Sequence, residues 1–139
     1  MVKVGIIGCG KIAQVRHIPE YLDNPNAKLT GLYDLNLQRA KELAEKYDCK
    51  SYESVEEMLA DPEIDAVSVC VANHVHAEIT IAALKAGKHV LCEKPMATKL
   101  KDCQMMVDTA EPMGKKLMIG QNQRFAKAHA EARKLIEHG

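Results

Sequence analysis

The first thirteen residues constrain the fold of this chain more than any other segment. Val2–Ile7 is a largely apolar run, and it leads into Gly8, Gly10 and Ala13 at the spacing G-x-G-x-x-A. After a strand, the first glycine permits a tight turn, the second lets a ligand approach the backbone, and the small third residue lets a helix pack closely. The free N–H groups and the positive end of that helix then face the ligand, which predicts a loop that binds the pyrophosphate of a dinucleotide. We call this segment the phosphate loop, and its predicted residues are Gly8, Cys9, Gly10, Lys11, Ile12 and Ala13.

An acidic residue follows at the distance that the motif requires. Asp34 ends the predicted second strand, 21 residues after Ala13. A carboxylate there accepts hydrogen bonds from the adenosine ribose and repels the 2′-phosphate of NADP, so NAD is expected in preference to NADP. Arg39 is a nearby cation that would favour NADP, but we expect its side chain to be solvated. A helix N-cap is the alternative role for Asp34, and the two roles are compatible.

Strand-like and helix-like segments alternate along the chain. Most of the predicted strands are continuous apolar runs, which is typical of a parallel sheet covered on both faces. The strands are predicted at 2–7, 28–33, 66–71, 88–92 and 116–120, with a weaker one at 49–52. Amphipathic helices are predicted after Asn36, from Val75 to a C-terminal cap at Gly87, after Thr98, and over 125–138. Repeated units of this kind predict an α/β fold, a doubly wound parallel sheet of the three-layer Rossmann type.

Length and composition exclude several classes of protein. The 139 residues suffice for one domain, which we place at 1–139. The formal net charge of zero gives no electrostatic reason to expect nucleic acid or an anionic membrane as a partner. We find no signal peptide and no run long enough to span a bilayer.

The five cysteines include no C-x-x-C pair, which favours reduced thiols in a cytoplasmic protein over a metal site. Cys9 is expected to be a small buried side chain rather than a reactive thiol.

Two further motifs lie at the predicted carboxyl ends of neighbouring strands. The run Asn73-His74-Val75-His76 follows the strand at 66–71, and Glu93-Lys94-Pro95 follows the strand at 88–92. Ligands of open α/β sheets bind at this edge, beside the point where the strand order reverses. A lysine directly before a proline at a strand end is a rigid means of directing an amine into that crevice.

With these residues in view, the chain resembles the Gfo/Idh/MocA oxidoreductase family, which includes glucose–fructose oxidoreductase and inositol dehydrogenase. The stretch 73–97, which carries both motifs, is similar to the most recognisable part of that family. The phosphate loop matches as well, and so does the run Asn122-Gln123-Arg124-Phe125. The resemblance therefore covers the whole chain.

The resemblance implies roles for individual residues. Lys94 would be the catalytic residue, which hydrogen-bonds the reacting hydroxyl of a sugar or polyol and helps to move its proton. Glu93 would help to position Lys94, and Pro95 would fix the turn, with a cis peptide bond as one way to do so. Besides the loop and Asp34, the resemblance implies cofactor contacts at Ala72, Asn73, His76, Glu93, Lys94, Pro95, Asn122 and Arg124.

Several of these roles have plainer alternatives. Asn73 and His76 would lie near the nicotinamide ribose, yet Asn73 also suits a helix N-cap. His74 and His76 also suit first-turn surface positions, and His74 is the weaker candidate for ligand contact. Arg124 would lie near the crossing into a second domain. The alternative for Lys94 is a solvated lysine at a strand end.

The chain also departs from the family pattern. Family members carry a second α/β domain that supplies a D-x-x-x-H histidine and most of the substrate pocket, whereas no such motif follows the nucleotide fold here. Residues 125–139 are therefore expected to form a helix that leads towards a domain absent from this chain. Because acid–base help and substrate orientation are worth orders of magnitude in rate, we expect cofactor binding with little or no turnover.

Two other functions compete with a fragment of a sugar or polyol dehydrogenase. A free-standing dinucleotide-binding sensor or scaffold would also explain the loop, but it has no need of Glu93-Lys94-Pro95. A domain that binds S-adenosylmethionine or FAD fits Asp34 and the lysine motif less well. The sequence does not identify the substrate, and association of copies through exposed apolar surface is compatible with it.

Overall fold

The computed structural model describes residues 1–138 and contains one six-stranded sheet. All the paired strands are parallel, in the order β3-β2-β1-β4-β5-β6. The strands are β1 (Val2–Ile7), β2 (Ala27–Tyr33), β3 (Lys50–Ser51), β4 (Ala66–Val69), β5 (His89–Cys92) and β6 (Leu117–Ile119). The predicted doubly wound α/β fold is therefore confirmed. The strand predicted at 66–71 ends at Val69 in the structure. The Cys70 N–H still donates to the carbonyl oxygen of Ile7 at 2.8 Å, and Cys70 and Val71 keep the apolar pattern because they pack in the core and beside it.

The first five helices connect successive strands, and the sixth follows β6. A π-helical turn, Ala13–His17, continues into α1, and short 3₁₀ turns occupy Asn73–Val75 and Asn122–Phe125. The helices are α1 (Ile18–Asp23), α2 (Leu37–Tyr47), α3 (Val55–Ala60), α4 (His76–Lys85), α5 (Leu100–Ala110) and α6 (Lys127–His138). None of these helices combines the length and the apolar character that crossing a bilayer requires.

Helix α3 is missing from the sequence-based prediction. It has only six residues, too few for a periodic apolar stripe to stand out. Its signal is the Ser-x-x-Glu pattern that starts at Ser54, whose hydroxyl accepts a hydrogen bond from the Glu57 N–H at 3.0 Å.

The core has one layer on each face of the sheet. Ile6 and Ile7 are both fully buried, yet they belong to different layers because successive strand residues point to opposite faces. Ile18 of α1 and Ala44 of α2 pack on the Ile6 side. Residues of α3, α4 and α5 pack on the Ile7 side, among them Met58, Leu84 and Met106. Burial on both faces explains why the strand sequences are apolar without alternation.

The strand order places the candidate site. β1 lies between β2 and β4, so β2 and β3 lie on one side of it and β4, β5 and β6 lie on the other. The strand order therefore reverses beside β1, and the loops after β1 and β4 diverge at the carboxyl ends of these strands. The loops that follow β1, β2, β4 and β5 all lie along this edge of the sheet.

Candidate functional site

A cavity of about 360 Å³, called the main cavity below because three of the loops meet there, lies at this edge of the sheet. The loops after β1, β2 and β4 and the start of α4 enclose it, and its wall is mostly apolar. The lining residues are Ile7, Gly8, Gly10, Tyr33, Asp34, Leu35, Val55, Cys70, Val71, Ala72, His74, Val75, Glu78 and Ile79. An apolar wall with a few polar groups is the usual character of a site for a small organic ligand.

The two glycines of the phosphate loop have different structural reasons. Gly8 has φ +94°, and a Cβ there would lie 2.6 Å from the carbonyl oxygen of Cys70. Only glycine fits at this position, because its backbone is in the left-handed region and a Cβ would meet the backbone that follows β4. A Cβ on Gly10, in contrast, would meet no protein atom within 4 Å and would project into open space beside the cavity. The bare backbone at Gly10 leaves room for a ligand rather than for protein.

The remaining loop residues divide into buried and exposed ones. Ala13 is fully buried, as expected for a small residue that lets the helical turn approach the sheet. Cys9 is also fully buried, and burial raises the pKa of its thiol to about 12. The thiol therefore stays protonated and unreactive at neutral pH, which supports the structural role predicted for it. Lys11 and Ile12 are exposed and lie outside the wall of the main cavity.

Asp34 is nearly buried, at 8% exposure, and is held by backbone N–H groups. Its Oδ2 accepts from the N–H of Cys9 at 2.7 Å, and its Oδ1 accepts from the N–H of Asn36 at 2.8 Å. The carboxylate thus ties the phosphate loop to the loop after β2. The alternative role of helix N-cap is wrong for Asp34, because Asn36 caps α2 by accepting from the N–H of Arg39 at 3.1 Å.

Arg39 is not simply solvated. Its Nη1 lies 3.5 Å from both carboxylate oxygens of Asp34, although the side chain is 44% exposed. A cation is therefore present beside the carboxylate that would face the adenosine ribose. The charge balance at this position is less negative than the sequence indicates.

The two histidines of the Asn73–His76 run differ in exposure. His74 is exposed and lines the main cavity, whereas His76 is 1% exposed. His76 Nδ1 lies 2.7 Å from the carbonyl oxygen of Pro95, and Nε2 lies 3.1 Å from that of Val71. The surface position considered for His76 is therefore wrong, whereas its cofactor contact stays a prediction. The ring is buried because it joins the loop after β4 to the loop after β5.

Asn73 and Ala72 stand at the start of the 3₁₀ turn. Ala72, not Asn73, occupies the N-cap position, and no side chain caps the turn, so the N-cap alternative for Asn73 is wrong. Both residues are exposed, and Ala72 lines the main cavity.

A smaller cavity of about 260 Å³ lies beside the ends of β5 and β6. Glu93 and Asn122 line it together with Ile12, so these three predicted site residues come together away from the main cavity. Lys94 is exposed, and the Lys94–Pro95 peptide bond is cis, one of the turn geometries considered from the sequence. Glu93 Oε2 accepts from the Lys94 N–H at 3.2 Å, so this carboxylate contacts the backbone of Lys94.

Arg124 lies apart from the other candidates. It is exposed on the 3₁₀ turn before α6, in a shallow groove with Gln123, His129 and Arg133. It lines neither the main nor the smaller cavity.

The sequence-based prediction misses several residues of the main wall. Val75 and Ile79 lie on the apolar stripe of the helix predicted from Val75; both are half-buried and line the cavity, and Ile79 also packs against the core. Leu35 is 91% exposed, and its position directly after Asp34 is the signal that could have indicated it. Within residues 1–138, no cluster of three or more histidine, cysteine or acidic side chains is arranged to hold a metal ion.

Comparison with known proteins agrees with this geometry. Residues 2–121 match the Gfo/Idh/MocA family model, described as an oxidoreductase family with an NAD-binding Rossmann fold. The chain belongs to this family. Its α/β fold is the Rossmann fold of the family's NAD-binding domain.

Individual relatives show how much of a family member the chain represents. Myo-inositol 2-dehydrogenase of Thermotoga maritima is 33% identical over 138 residues, which are 99% of this chain and 41% of that protein. D-glucoside 3-dehydrogenase of Escherichia coli is 38% identical over 138 residues, 99% of this chain and 39% of that protein. A 3-ketoreductase of Actinomadura kijaniata, solved with TDP-benzene and NADP, superposes with a TM-score of 0.92 at 30% identity and covers 99% of this chain and 44% of its own. The chain therefore spans about two fifths of the length of these Gfo/Idh/MocA proteins.

Proposed function

We propose that the chain binds NAD along the carboxyl edge of the sheet, with the pyrophosphate at the Gly8–Ala13 loop and the adenosine in the main cavity. The observation that carries this proposal is Gly10, where a Cβ would enter empty space on the cavity wall. A glycine that no protein atom requires is explained by a ligand that needs close approach to its backbone.

The adenosine half fits the main cavity by its chemistry. Asp34 supplies carboxylate oxygens at the wall, where ribose hydroxyls can donate to them. Leu35, Val75 and Ile79 offer apolar surface to a base, and the exposed ring of His74 adds a flat polar group. The predicted cofactor residues of the loop and Asp34 thus act together, whereas His76 supports the wall from behind.

We propose NAD rather than NADP as the preferred cofactor. The Asp34 carboxylate repels a 2′-phosphate, and two unit charges about 4 Å apart interact by about 1 kcal/mol even in water. Arg39 offsets part of this repulsion, since it already lies 3.5 Å from the carboxylate. The 3-ketoreductase of Actinomadura, which is similar to this chain, was solved with NADP bound. The preference is therefore expected to be moderate.

For the complete enzyme we propose hydride transfer between C4 of the nicotinamide and a carbinol carbon of a sugar or polyol. The names of the inositol and glucoside dehydrogenases support this substrate class. The cofactor would supply the hydride chemistry, while Lys94 would hydrogen-bond the reacting hydroxyl and move its proton. Asn73, Pro95, Asn122 and Arg124 keep their proposed places near the nicotinamide half or at the second-domain crossing.

We propose little or no catalytic turnover for the 139-residue chain by itself. Among residues 1–138, the Lys94 side chain has no hydrogen-bond or ion-pair partner to orient its amine. Without groups that align the amine with a bound substrate, most of the gain from proximity and acid–base catalysis is lost. A stand-alone sensor would show the same binding without turnover, so the Lys94 role is tested only in a protein that contains the rest of the enzyme.

The test is a side-by-side titration with NADH and NADPH, followed by cofactor fluorescence. We expect NADH to bind more tightly, and Asp34→Asn to narrow the ratio of the two dissociation constants by about fivefold, the equivalent of about 1 kcal/mol. Asparagine keeps one oxygen for a backbone N–H, whereas alanine would leave both donors without a partner. Asp23→Asn, at an exposed helix end, is the matched control and should change nothing.

Two outcomes would count against the proposal. If NADH fails to bind at millimolar concentration, the loop is not a dinucleotide site. If Asp34→Asn leaves the NADH to NADPH ratio unchanged, the carboxylate does not select the cofactor.

A further inference from the structure

A chain of four hydrogen-bonded side chains leads from the first helix to the lysine motif. Tyr21 Oη lies 2.6 Å from Ser68 Oγ, and Ser68 Oγ lies 3.2 Å from His17 Nδ1. His17 Nε2 lies 2.9 Å from Glu93 Oε1, and Glu93 Oε2 accepts from the backbone N–H of Lys94 at 3.2 Å. Ser68 is fully buried and His17 is 8% exposed, so water competes weakly for these bonds.

The chemistry of the groups fixes the direction of the chain. An ionised Glu93 can only accept, so His17 donates from Nε2–H. A neutral His17 then accepts at Nδ1 from the Ser68 hydroxyl, which in turn accepts from Tyr21. Burial raises the pKa of Tyr21, which keeps its hydroxyl protonated and able to donate. Every polar atom of the chain thereby has a partner of the right type.

The position of His17 in the fold gives the chain its interest. His17 is the last residue of the π-helical turn that directly follows the phosphate loop, and π-helical turns occur often at functional sites. The bond to Glu93 joins residues 76 positions apart. The carboxylate also fills the space beside Gly120, where a Cβ would lie 3.3 Å from Glu93 Oε1. Glu93 thus bonds to His17 and to the backbone of Lys94, and it faces the π-helical turn rather than the main cavity.

We propose that His17 and Glu93 are positioning residues that fix the backbone of Lys94 relative to the helical turn of the phosphate loop. This inference rests on the proposed function, because it matters for catalysis only if Lys94 acts on substrate. The helical turn that faces the pyrophosphate and the lysine would then be parts of one rigid unit. Glu93 would serve Lys94 without contacting the cofactor, which replaces the cofactor contact inferred from the sequence.

The proposal is tested on the 139-residue chain by nuclear magnetic resonance without any cofactor. Long-range ¹H–¹⁵N correlation of the wild type should show the Nε2–H tautomer of His17 or the doubly protonated ring. A neutral ring protonated at Nδ1 would overturn the proposal, and this measurement needs no variant.

Two substitutions of His17 separate positioning from packing. The amide nitrogen of glutamine can take the place of Nε2 and still donate to Glu93, whereas that of asparagine can reach only the place of Nδ1. We expect His17→Asn to move the backbone amide resonance of Lys94 to higher field and His17→Gln to restore it towards the wild-type position. If both variants leave that resonance in place, or move it equally while melting at the same temperature, His17 only fills space and the proposal fails.

The outcome is independent of cofactor binding. Failure of the NADH titration would remove the proposed function but leave the Lys94 resonance to be measured. If His17 is protonated at Nε2 but the Lys94 amide resonance does not move in the His17 variants, this inference is wrong and the proposed NAD binding is unaffected.

Discussion

The two ends of the candidate site are built by different means. At the phosphate loop the structure is made by the backbone: Gly8 permits the turn, Gly10 leaves bare backbone beside the cavity, and Asp34 is held by two backbone N–H groups. At the Glu93-Lys94-Pro95 end, buried side chains hold the loop, since His17 anchors Glu93 and His76 contacts the carbonyl oxygen of Pro95.

This contrast explains which end tolerates change. A backbone-built loop depends on the absence of side chains, so any Cβ either clashes or blocks the ligand. A side-chain-built loop depends on donors and acceptors that must match in number and type. The first end should therefore respond to size, and the second to hydrogen-bonding capacity.

The largest expected effect is on stability at the first end. Gly8→Ala puts a Cβ 2.6 Å from a carbonyl oxygen in left-handed backbone, and should lower the free energy of unfolding by about 2–5 kcal/mol. Gly10→Ala meets no protein atom, so its stability should stay within about 0.5 kcal/mol of the wild type while NADH affinity falls at least about tenfold. Denaturant unfolding and NADH titration of both variants measure this pair. A stable Gly8→Ala, or a Gly10→Ala that binds NADH normally, would contradict the division of labour between the glycines.

The second effect tests the side-chain-built end. His76→Leu keeps the bulk but removes both ring nitrogens from the carbonyl oxygens of Val71 and Pro95, and should cost about 1–3 kcal/mol of stability. His74→Ala, two residues earlier and exposed, should leave stability unchanged and weaken NADH binding about threefold. Thermal unfolding and titration of the two variants should give opposite patterns. If His76→Leu is as stable as the wild type, its hydrogen bonds do not hold the two loops together.

The smallest effect sharpens the account of cofactor choice. Arg39→Gln removes the cation beside Asp34 and should weaken NADPH binding about fivefold while NADH binding changes less than about twofold. Lys41→Gln, which removes an exposed cation of the same helix, is the control. Parallel NADH and NADPH titrations provide the measurement. Equal losses for both cofactors would mean that Arg39 does not contact the 2′-position.

Local patterns predicted the first end almost completely. Gly8, Gly10, Ala13 and Asp34 stand where the motif places them, because strand, turn and helix start are contiguous in the chain. The same holds for the start of α2, which was predicted after Asn36 and is capped by that residue. Such features need no knowledge of distant contacts.

The second end could be predicted only in part. The motif made Glu93 and Lys94 candidate site residues, but it could not show that His17 is the partner of Glu93, because those residues are 76 positions apart. His76 was misplaced for the same reason: an amphipathic pattern locates a helix but does not show what its first residue meets.

The sequence alone thus determined the doubly wound fold, the phosphate loop and the acidic residue beside it, because short-range sterics and apolar patterning dictate all three. Tertiary structure decided which side chains reach the cavity, which histidine is buried, and which way Glu93 faces. Those outcomes depend on hydrogen bonds between residues far apart in the chain, and their partners exist only once the sheet has brought β1, β4 and β5 side by side.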